Sequence, residues 1–366
     1  MKKTRVIILF GGRSAEHEIS LLSARNVLSA LDRTRFEPVL VGIDKGGRWH
    51  RESERTLAAA AGDPRAVALD ASAPAVAMED ALVTRGPGAV DAVGGDEVVF
   101  PVLHGTFGED GTVQGALELA GVAYVGSGVL GSAIGMDKDV AKRLLRDAGI
   151  PVVDFAVVSA GAFRRDPAAT LAALPDLGYP RYVKPANAGS SVGVSRVTAP
   201  DELERAVRAA LAFDSKVLIE RAVDAREIEC AVLGNDDPQA SIPGEIVVHH
   251  KDGFYSYDAK YVDPDGASWK IPAELPPELT TLVRAHAVAA FRALELAGMA
   301  RVDFFVTRDG RAVYVNEVNT IPGFTAVSMY PKMWEASGLG PTALITRLVE
   351  LAIERRDARR ALKTTP

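Results

Sequence analysis

The chain has 366 residues, of which 48% are hydrophobic and 25% are charged, with a formal net charge of −6. This composition is that of a globular protein with room for two or three domains, and it excludes disordered and fibrous chains. The acidic balance argues against nucleic acid as a partner, because surfaces that bind nucleic acid are normally basic.

Two features indicate the cellular location. The single cysteine, Cys230, cannot form an internal disulfide and lies in the apolar run IECAVL, so a reducing compartment is expected. The uncharged segment 119–136 approaches the length of a membrane span, but glycines and serines interrupt it. We therefore expect a cytoplasmic protein without a membrane-spanning segment.

The first 130 residues alternate between strand and helix patterns. The strand RVIILF is followed by the turn GGRSAEHE and the helix ISLLSARNVLSAL, and the strand EVVFPVLHG is followed by TFGEDGT and the helix VQGALELAG. This alternation predicts a parallel sheet covered by helices, with ligands bound beyond the carboxyl ends of the strands, where both turns fall. Segment 51–96 has no clear period and predicts a weakly structured insertion or short strands.

The next segment, 131–220, predicts a compact lobe of strands and helices. Within it, Lys184 precedes the loop ANAGSS, whose small residues would let backbone N–H groups approach an anion. A P-loop needs its lysine directly after the second glycine and before a helix, whereas here a strand follows. The loop therefore leaves two interpretations open, a mobile hairpin tip and a phosphate-binding flap.

The third segment, 221–366, contains the run RVDFFVTRDGRAVYVNEVNT, which predicts a hairpin with its turn at the Asp-Gly pair. Glu317 and Asn319 are two residues apart and share a face of the second strand. A two-residue turn would place Asp303 on the opposite face, whereas an odd loop or an equivalent bulge would place it beside them. The three side chains would then suit Mg²⁺, and the alternative is an exposed polar face. The basic tail 354–363 predicts a solvated helix face.

These features are more informative together than singly. Three lysines, a Gly/Ser loop, two acids near the boundary of the lobes and the hairpin set describe an Mg-ATP site between two lobes. The residues are Lys138, Lys184, Lys260, Glu220, Glu227, Asp303, Glu317 and Asn319.

The order of several motifs resembles that of D-alanine:D-alanine ligases, members of the ATP-grasp superfamily. These motifs are GGRSAEHEIS, LHGTFGEDGTVQG, MDK, VKPANAGSSVGV, DAKY, RVDFF and NEVNTIPGFT, and the resemblance runs from residue 5 to about 350. It implies an α/β fold with an N-terminal parallel-sheet domain (1–130) followed by a two-lobed ATP-grasp unit (131–220 and 221–366). It also implies a cytoplasmic homodimer that joins two D-alanine molecules through an acyl phosphate, releasing ADP and phosphate, for peptidoglycan precursor synthesis.

The resemblance further implies roles for individual residues. The catalytic residues would be Glu16, Ser190, Tyr261, Arg301 and Gly323. The D-alanine substrates would contact Glu16, His104, Ser328 and Met329, the last standing where a leucine is often found. ATP would contact Lys138, Lys184, Ser190, Ser191, Glu220, Glu227, Lys260 and Asn316. Two Mg²⁺ or Mn²⁺ ions would be held by Asp303, Glu317 and Asn319.

Three other functions compete with this one. A ligase that takes D-lactate or D-serine as its second substrate is the nearest, and Tyr261 counts against it because lactate-type relatives commonly replace this residue. A nucleotide-binding module without turnover would have no reason to keep Arg301 together with the hairpin acids. A Rossmann-type dehydrogenase is excluded because the first turn reads GGRSAE and lacks G-x-G-x-x-G.

Overall fold

The structure is a computed structural model, and it describes residues 2–58, 68–70, 72–82, 97–249 and 266–363. The strands are β1 (Thr4–Gly11), β2 (Phe36–Ile43), β3 (Trp49–Glu52), β4 (Ala75–Val76), β5 (Glu97–Val102), β6 (Ala123–Tyr124), β7 (Phe155–Ser159), β8 (Arg181–Pro185), β9 (Ser195–Val197), β10 (Lys216–Arg221), β11 (Ala225–Gly234), β12 (Gln239–Ala240), β13 (Gly244–Val248), β14 (Ala267–Lys270), β15 (Gly298–Thr307) and β16 (Val313–Asn319). The helices are α1 (His17–Ala30), α2 (Glu54–Ala58), α3 (Met78–Leu82), α4 (Thr112–Leu119), α5 (Val129–Met136), α6 (Lys138–Asp147), α7 (Ala160–Arg165), α8 (Pro167–Ala172), α9 (Leu203–Ala210), α10 (Pro277–Ala293), α11 (Met329–Ala336) and α12 (Pro341–Arg360).

The first sheet has the strand order β4-β3-β2-β1-β5-β6. Strands β2, β1, β5 and β6 are parallel, which confirms the α/β pattern predicted for this part of the chain. Val6 to Phe10 in β1 are fully buried, as expected for a central parallel strand covered by helices on both faces. Strands β3 and β4 extend the edge in antiparallel fashion, so the described part of segment 51–96 contributes short strands.

The second sheet is antiparallel, with the order β7-β10-β8-β9. Helix α9 buries Leu203, Ala206, Val207 and Ala210 against it, the residues that recur at helical spacing in the sequence. The loop that joins β8 to β9, residues 186–194, is called the flap below. It is the tip of an antiparallel hairpin, as the sequence indicated.

The third sheet has the order β14-β13-β11-β15-β16, with β12 paired to β11. Alternate residues of β15, including Val302 and Phe304, pack on α10, and the opposite face carries the polar residues described below. Helices α11 and α12 pack in one apolar core with β1 and α1 of the first sheet. The last helix therefore joins the C-terminal part of the chain to the N-terminal part.

The basic tail differs from the prediction. Arg355 donates to the carbonyl oxygens of Tyr124 (3.1 Å) and Gly126 and lies over the Tyr124 ring at 4.2 Å, while Arg359 pairs with Glu118. The prediction of a solvated basic face is wrong at Arg355, because carbonyl groups at and just after β6 need donors and the arginine supplies them. Within the described residues, no helix has both the length and the apolar character needed to cross a membrane.

Candidate active site

The hairpin of β15 and β16 places its polar residues on one face. Thr307 and Ala312 close the turn with an N···O distance of 3.0 Å, which leaves residues 308–311, an even number, in the turn. An even turn by itself would separate the two acids, but the register shifts between Asp303 and Phe304 so that Asn316 is an extra residue. Asp303 consequently pairs directly with Glu317, and the bulge version of the prediction is confirmed.

Arg301 is the centre of a set of charges on this face. Its Nε and Nη2 atoms donate to the two carboxylate oxygens of Asp303, each at 2.7 Å, and Nε lies 3.1 Å from Oε2 of Glu229 on β11. Asn319 donates to Asp303 at 3.0 Å. These carboxylates raise the pKa of Arg301 well above its ordinary value although burial opposes them, so the guanidinium is a permanent, partly buried cation.

Lys138 joins the hairpin to the flap. It begins α6, and its Nζ atom lies 3.1 Å from Oε2 of Glu317 and donates to the carbonyl oxygen of Ala188 at 2.8 Å. Asp137 caps the same helix by accepting from two backbone N–H groups of its first turn and is held by Lys216 of β10 at 2.6 Å. The lysine is thus presented from a rigid helix start.

The flap also contacts the N-terminal domain. Ser190, whose φ of 49° lies in the left-handed region, donates a hydrogen bond to Oε1 of Glu16, the residue before α1. A Cβ atom at Gly189 would lie 2.7 Å from Oε2 of Glu16, and one at Gly105 would lie 3.3 Å from the same oxygen. Glycine at both positions therefore lets two loops approach the Glu16 carboxylate closely.

A buried carboxylate holds the second lysine of the site. Lys184 on β8 lies 2.5 Å from Oε2 of Glu220 on β10, and it donates to Oδ1 of Asn316 at 3.3 Å. Nearby positive charges lower the pKa of Glu220 despite its burial. Lys142 of α6, which the sequence analysis missed, lies 3.0 Å from the other oxygen of Glu220.

His104 and Glu109 connect the loop after β5 to the loop after β16. His104 donates from Nδ1 to the carbonyl oxygen of Ile321 at 3.1 Å, so its Nε2 accepts from Ser23 (3.3 Å), a tautomer that we assign from these partners. Glu109 accepts from the backbone N–H groups of Gly105 (2.7 Å) and Ile321 (3.2 Å). Burial, and then the charge of Glu16, raises the pKa of Glu109 to about 8.

The loop after β16 carries Gly323 and leads into α11. A Cβ atom at Gly323 would lie 2.7 Å from Oγ of Ser328, so the loop folds tightly against this side chain. Ser328 accepts from the backbone N–H of Thr325 at 2.9 Å, and the buried Met329 begins α11. The predicted contacts of the second substrate are therefore neighbours of the predicted oxyanion donor.

Two of the four remaining predicted residues, Ser191 and Glu227, lie in the described part of the chain. Ser191 is in the flap beside Ser190, also with a positive φ of 59°. Glu227 lies on β11 two residues before Glu229, which puts both on the face that carries Asp303. Lys260 and Tyr261 lie outside the described residues.

The hairpin donors fit a divalent cation chemically. Asp303, Glu317 and Asn319 offer two carboxylates and an amide oxygen, the hard ligands that Mg²⁺ and Mn²⁺ accept. Within the described ranges there is no group of three or more His, Cys, Asp or Glu residues that could hold a metal. A site here would need Asn319, water or substrate oxygens to complete it.

Three site residues were missed from sequence. Glu229 is two residues after Glu227 on the same strand face, so spacing alone indicated it, whereas Lys142, four residues after Lys138 on the same helix face, finds its partner Glu220 on a distant strand. Glu109 lies within the GEDG motif, but its position over Ile321 depends on a contact across 212 residues. The position of Glu109 in the site therefore could not be predicted from the local sequence pattern.

Comparison with known proteins identifies relatives along nearly the whole chain. A model of the D-ala D-ala ligase N-terminus matches residues 5–127, and a model of the D-ala D-ala ligase C-terminus matches residues 144–350. The chain is similar to D-alanine–D-alanine ligase A of Escherichia coli (strain K12), with 51% identity over 375 residues and 100% of both chains covered. Its similarity to the D-alanine–D-alanine ligase of Shouchella clausii (strain KSM-K16) is 48% over 371 residues, covering 100% of this chain and 99% of the relative.

The fold is also similar to those of solved ligase structures. The D-alanine-D-alanine ligase from Coxiella burnetii superposes with a TM-score of 0.79 at 37% identity, covering 98% of this chain and 97% of that one. The VanG D-Ala:D-Ser ligase from Enterococcus faecalis superposes with a TM-score of 0.79 at 34% identity, covering 96% and 100%.

Proposed function

The chain belongs to the D-alanine–D-alanine ligase family, and we propose that it uses ATP to join two D-alanine molecules into D-alanyl-D-alanine, releasing ADP and phosphate. One observation carries this proposal for the individual residues. The hairpin face with Arg301, Asp303 and Glu317 meets Lys138 and, through it, the flap. The product would be a precursor of peptidoglycan made in the cytoplasm.

In the first step, the carboxylate of one D-alanine would attack the γ-phosphate of ATP to give an acyl phosphate. Negative charge on the phosphates needs nearby cations. Lys138 of α6 contacts the flap at Ala188, and Lys184 on β8 stands two residues before the flap begins. We assign Lys260 the same role on the family resemblance. Backbone N–H groups of the flap, with Ser190 and Ser191, would bind phosphate oxygens, and Glu220, Glu227 and Asn316 would complete the nucleotide site.

Asp303, Glu317 and Asn319 would hold the divalent cations, Mg²⁺ or Mn²⁺, and we propose two ions. When bound, such ions neutralise charge on the transferring phosphoryl group. The protein's own part is to hold the two carboxylates on one strand pair and to balance them with Arg301 and Lys138.

In the second step, the amine of the other D-alanine would displace phosphate from the acyl phosphate. The tetrahedral oxyanion formed there needs donors that are already in place. Arg301 is a fixed cation held by Asp303 and Glu229, and we assign it this role together with the backbone N–H of Gly323. His104 and Glu109, which both bond to Ile321, would hold the loop that carries Gly323.

Substrate recognition would divide between the two ends of the site. Glu16 would bind the ammonium group of the first D-alanine, with Ser190 and Tyr261 linked to it, and His104 nearby. Ser328 and Met329 would contact the carboxylate of the second D-alanine. The Ser190–Glu16 hydrogen bond supports this arrangement because it brings the flap onto the first substrate's site.

A product assay tests the proposal. The protein is incubated with Mg-ATP and with D-alanine, L-alanine, D-lactate or D-serine, singly and in pairs, while phosphate release and product masses are measured. We expect phosphate release and a dipeptide mass with D-alanine alone. ATP binding without phosphate release would instead support a non-catalytic nucleotide-binding module, and a preferred mixed product would support a D-lactate or D-serine ligase.

We also propose a homodimer, as the resemblance implies. Leu119 at the end of α4 is 92% exposed and Leu130 in the first turn of α5 is 61% exposed, so apolar side chains are available for contact with a second copy. Sedimentation equilibrium would measure the mass, and a mass of one chain at micromolar concentration would contradict the proposal.

A further inference from the structure

Lys142 is a charged residue inside the protein. It lies one turn after Lys138 on α6, and its side chain is 1% exposed. Its Nζ atom is 3.0 Å from Oε1 of Glu220, yet no well-directed hydrogen bond to it is made within the described residues. The other oxygen of Glu220 is 2.5 Å from Nζ of Lys184. One buried carboxylate therefore stands between two ammonium groups.

This cluster carries one more positive charge than negative charge. Burial lowers the pKa of Lys142, and the attraction of Glu220 opposes that change while Lys184 adds to it. The Lys184–Glu220 pair would be neutral without Lys142, so neutralising Glu220 does not explain the residue. Removing Lys142 would leave Glu220 paired with Lys184 at 2.5 Å, so no buried charge would lose its only partner. A role in folding alone is therefore a poor account of Lys142.

The position of Lys184 suggests a role for Lys142. Nζ of Lys184 lies 2.5 Å from Oε2 of Glu220, so the carboxylate offsets the positive charge of the lysine. To interact strongly with a phosphate, Lys184 would have to move away from Glu220. Without Lys142, Glu220, whose side chain is 4% exposed, would then be a buried anion without compensation, which is costly. Lys142 already lies 3.0 Å from Oε1 of Glu220 and would remain as its partner.

We infer that Lys142 is a positioning residue for nucleotide binding, holding Glu220 ionised and in place so that Lys184 can turn toward a phosphate. The inference rests on the proposed function, which makes Lys184 a phosphate contact. It predicts that Lys142 acts through Glu220 and not on the nucleotide directly. The effect of removing Lys142 should thus depend on whether Glu220 is charged.

The first test uses Lys142→Met, which keeps the length of the side chain and removes its charge. The dissociation constant of Mg-ADP is measured by calorimetry, and KM is measured for ATP and for D-alanine. We expect the dissociation constant and the KM for ATP to rise about tenfold, which corresponds to about 1.4 kcal/mol, with the KM for D-alanine and the melting temperature nearly unchanged. Lys3→Met, which removes an exposed lysine just before β1, is the matched control and should change none of these values.

The second test is a double-mutant cycle with Glu220→Gln. In that background Lys184 has no carboxylate to leave, so Lys142→Met should change the Mg-ADP dissociation constant by less than about threefold. An equal change in both backgrounds, or no change in the first, would overturn the inference. A collapse of the melting temperature in both Lys142→Met and Lys142→Gln would also overturn it, because the lysine would then be needed for the fold.

The two proposals fail in different ways. If the wild-type protein binds Mg-ADP but forms no dipeptide, the proposed function fails and the cycle still tests Lys142. If the wild-type protein forms dipeptide and Lys142→Met binds Mg-ADP normally, only the inference on Lys142 fails.

Discussion

Ser190 and Glu16 are joined by a hydrogen bond across 174 residues of sequence. Ser190 lies in the flap between β8 and β9, and Glu16 lies in the loop before α1. Gly189, next to Ser190 in the flap, has no Cβ atom, which leaves room for the Glu16 carboxylate. The contact therefore couples closure of the flap to the orientation of the side chain that we assign to the first substrate.

Removing the hydroxyl group of Ser190 should weaken the coupling between the flap and Glu16. Ser190→Ala is expected to lower kcat/KM for D-alanine by about 10- to 100-fold, because a hydrogen bond to a charged group contributes about 1.5–3 kcal/mol. The melting temperature should change little, since the side chain is only half-buried and alanine tolerates the same backbone conformation no worse than serine. Ser195→Ala, at the start of β9, is the control and should retain wild-type kinetics. Wild-type kinetics in Ser190→Ala would exclude the flap contact from substrate binding.

A substitution of Glu317 tests the metal site with less effect on stability than a substitution of Asp303. The side chain of Glu317 is 26% exposed, against 13% for Asp303, and Lys138, which pairs with it at 3.1 Å, also donates to the carbonyl oxygen of Ala188. Glu317→Gln should raise the Mg²⁺ concentration for half-maximal activity by at least about tenfold while the denaturation midpoint stays close to wild type. An unchanged Mg²⁺ requirement would remove Glu317 from the metal site.

Asp303→Asn is the comparison variant. Asp303 accepts two hydrogen bonds from Arg301, and the two side chains are only 13% and 18% exposed. Glu229 still pairs with Arg301 at 3.1 Å in the variant, so the cost is that of weakening two charge-assisted hydrogen bonds, about 1.5–3 kcal/mol. Activity and stability should both fall in Asp303→Asn, whereas in Glu317→Gln only activity should fall.

Glu109 gives a prediction about pH. Burial raises its pKa from an ordinary value of 4.5 to about 8, so the folded state binds this proton more tightly than the unfolded state does. The stability that protonation contributes is therefore fully present below pH 4.5 and is lost as the pH rises toward 8. Glu109→Gln has no such titration, and its amide cannot accept from the N–H groups of both Gly105 and Ile321.

The experiment compares urea denaturation of wild type and Glu109→Gln between pH 5 and pH 8. We expect the variant to be less stable by about 1–3 kcal/mol at pH 5, and the gap to narrow as the pH rises. The exposed Glu204→Gln in α9 is the control and should follow the wild-type curve. A gap that stays constant over this range would mean that Glu109 is ionised throughout.

Much of the fold could be predicted because local patterns and tertiary demands agree. The apolar run of β1 required cover on both faces, and the period of α9 required one buried face; the structure has both. Glu317 and Asn319 share a face because strand geometry fixes a period of two. Here the sequence pattern alone was sufficient.

Other parts depended on contacts that no local pattern contains. The bulge at Asn316 decides whether Asp303 joins Glu317, and an even or odd turn is not readable from an Asp-Gly pair. Lys142 looks like an ordinary helix-surface lysine until β10 brings Glu220 against it. Arg355 looks solvated until α12 packs beside β6. In each case a distant segment supplies the partner.

The flap gives the last prediction, which concerns hydrogen exchange. The side-chain contacts of the flap, residues 186–194, include Asp214 accepting from the backbone N–H of Asn187 at 2.8 Å, Lys138 donating to the carbonyl of Ala188, and Ser190 donating to Glu16. Phosphate oxygens would supply acceptors for flap N–H groups and would hold the loop closed. We expect amide exchange in 186–194 to slow by about tenfold or more when Mg-ADP is added, whereas a peptide from β1 should exchange equally slowly in both conditions. The measurement is exchange followed by mass spectrometry at saturating Mg-ADP, with binding verified by calorimetry. Saturated protein with unaltered exchange in the flap would show that this loop does not close over the nucleotide.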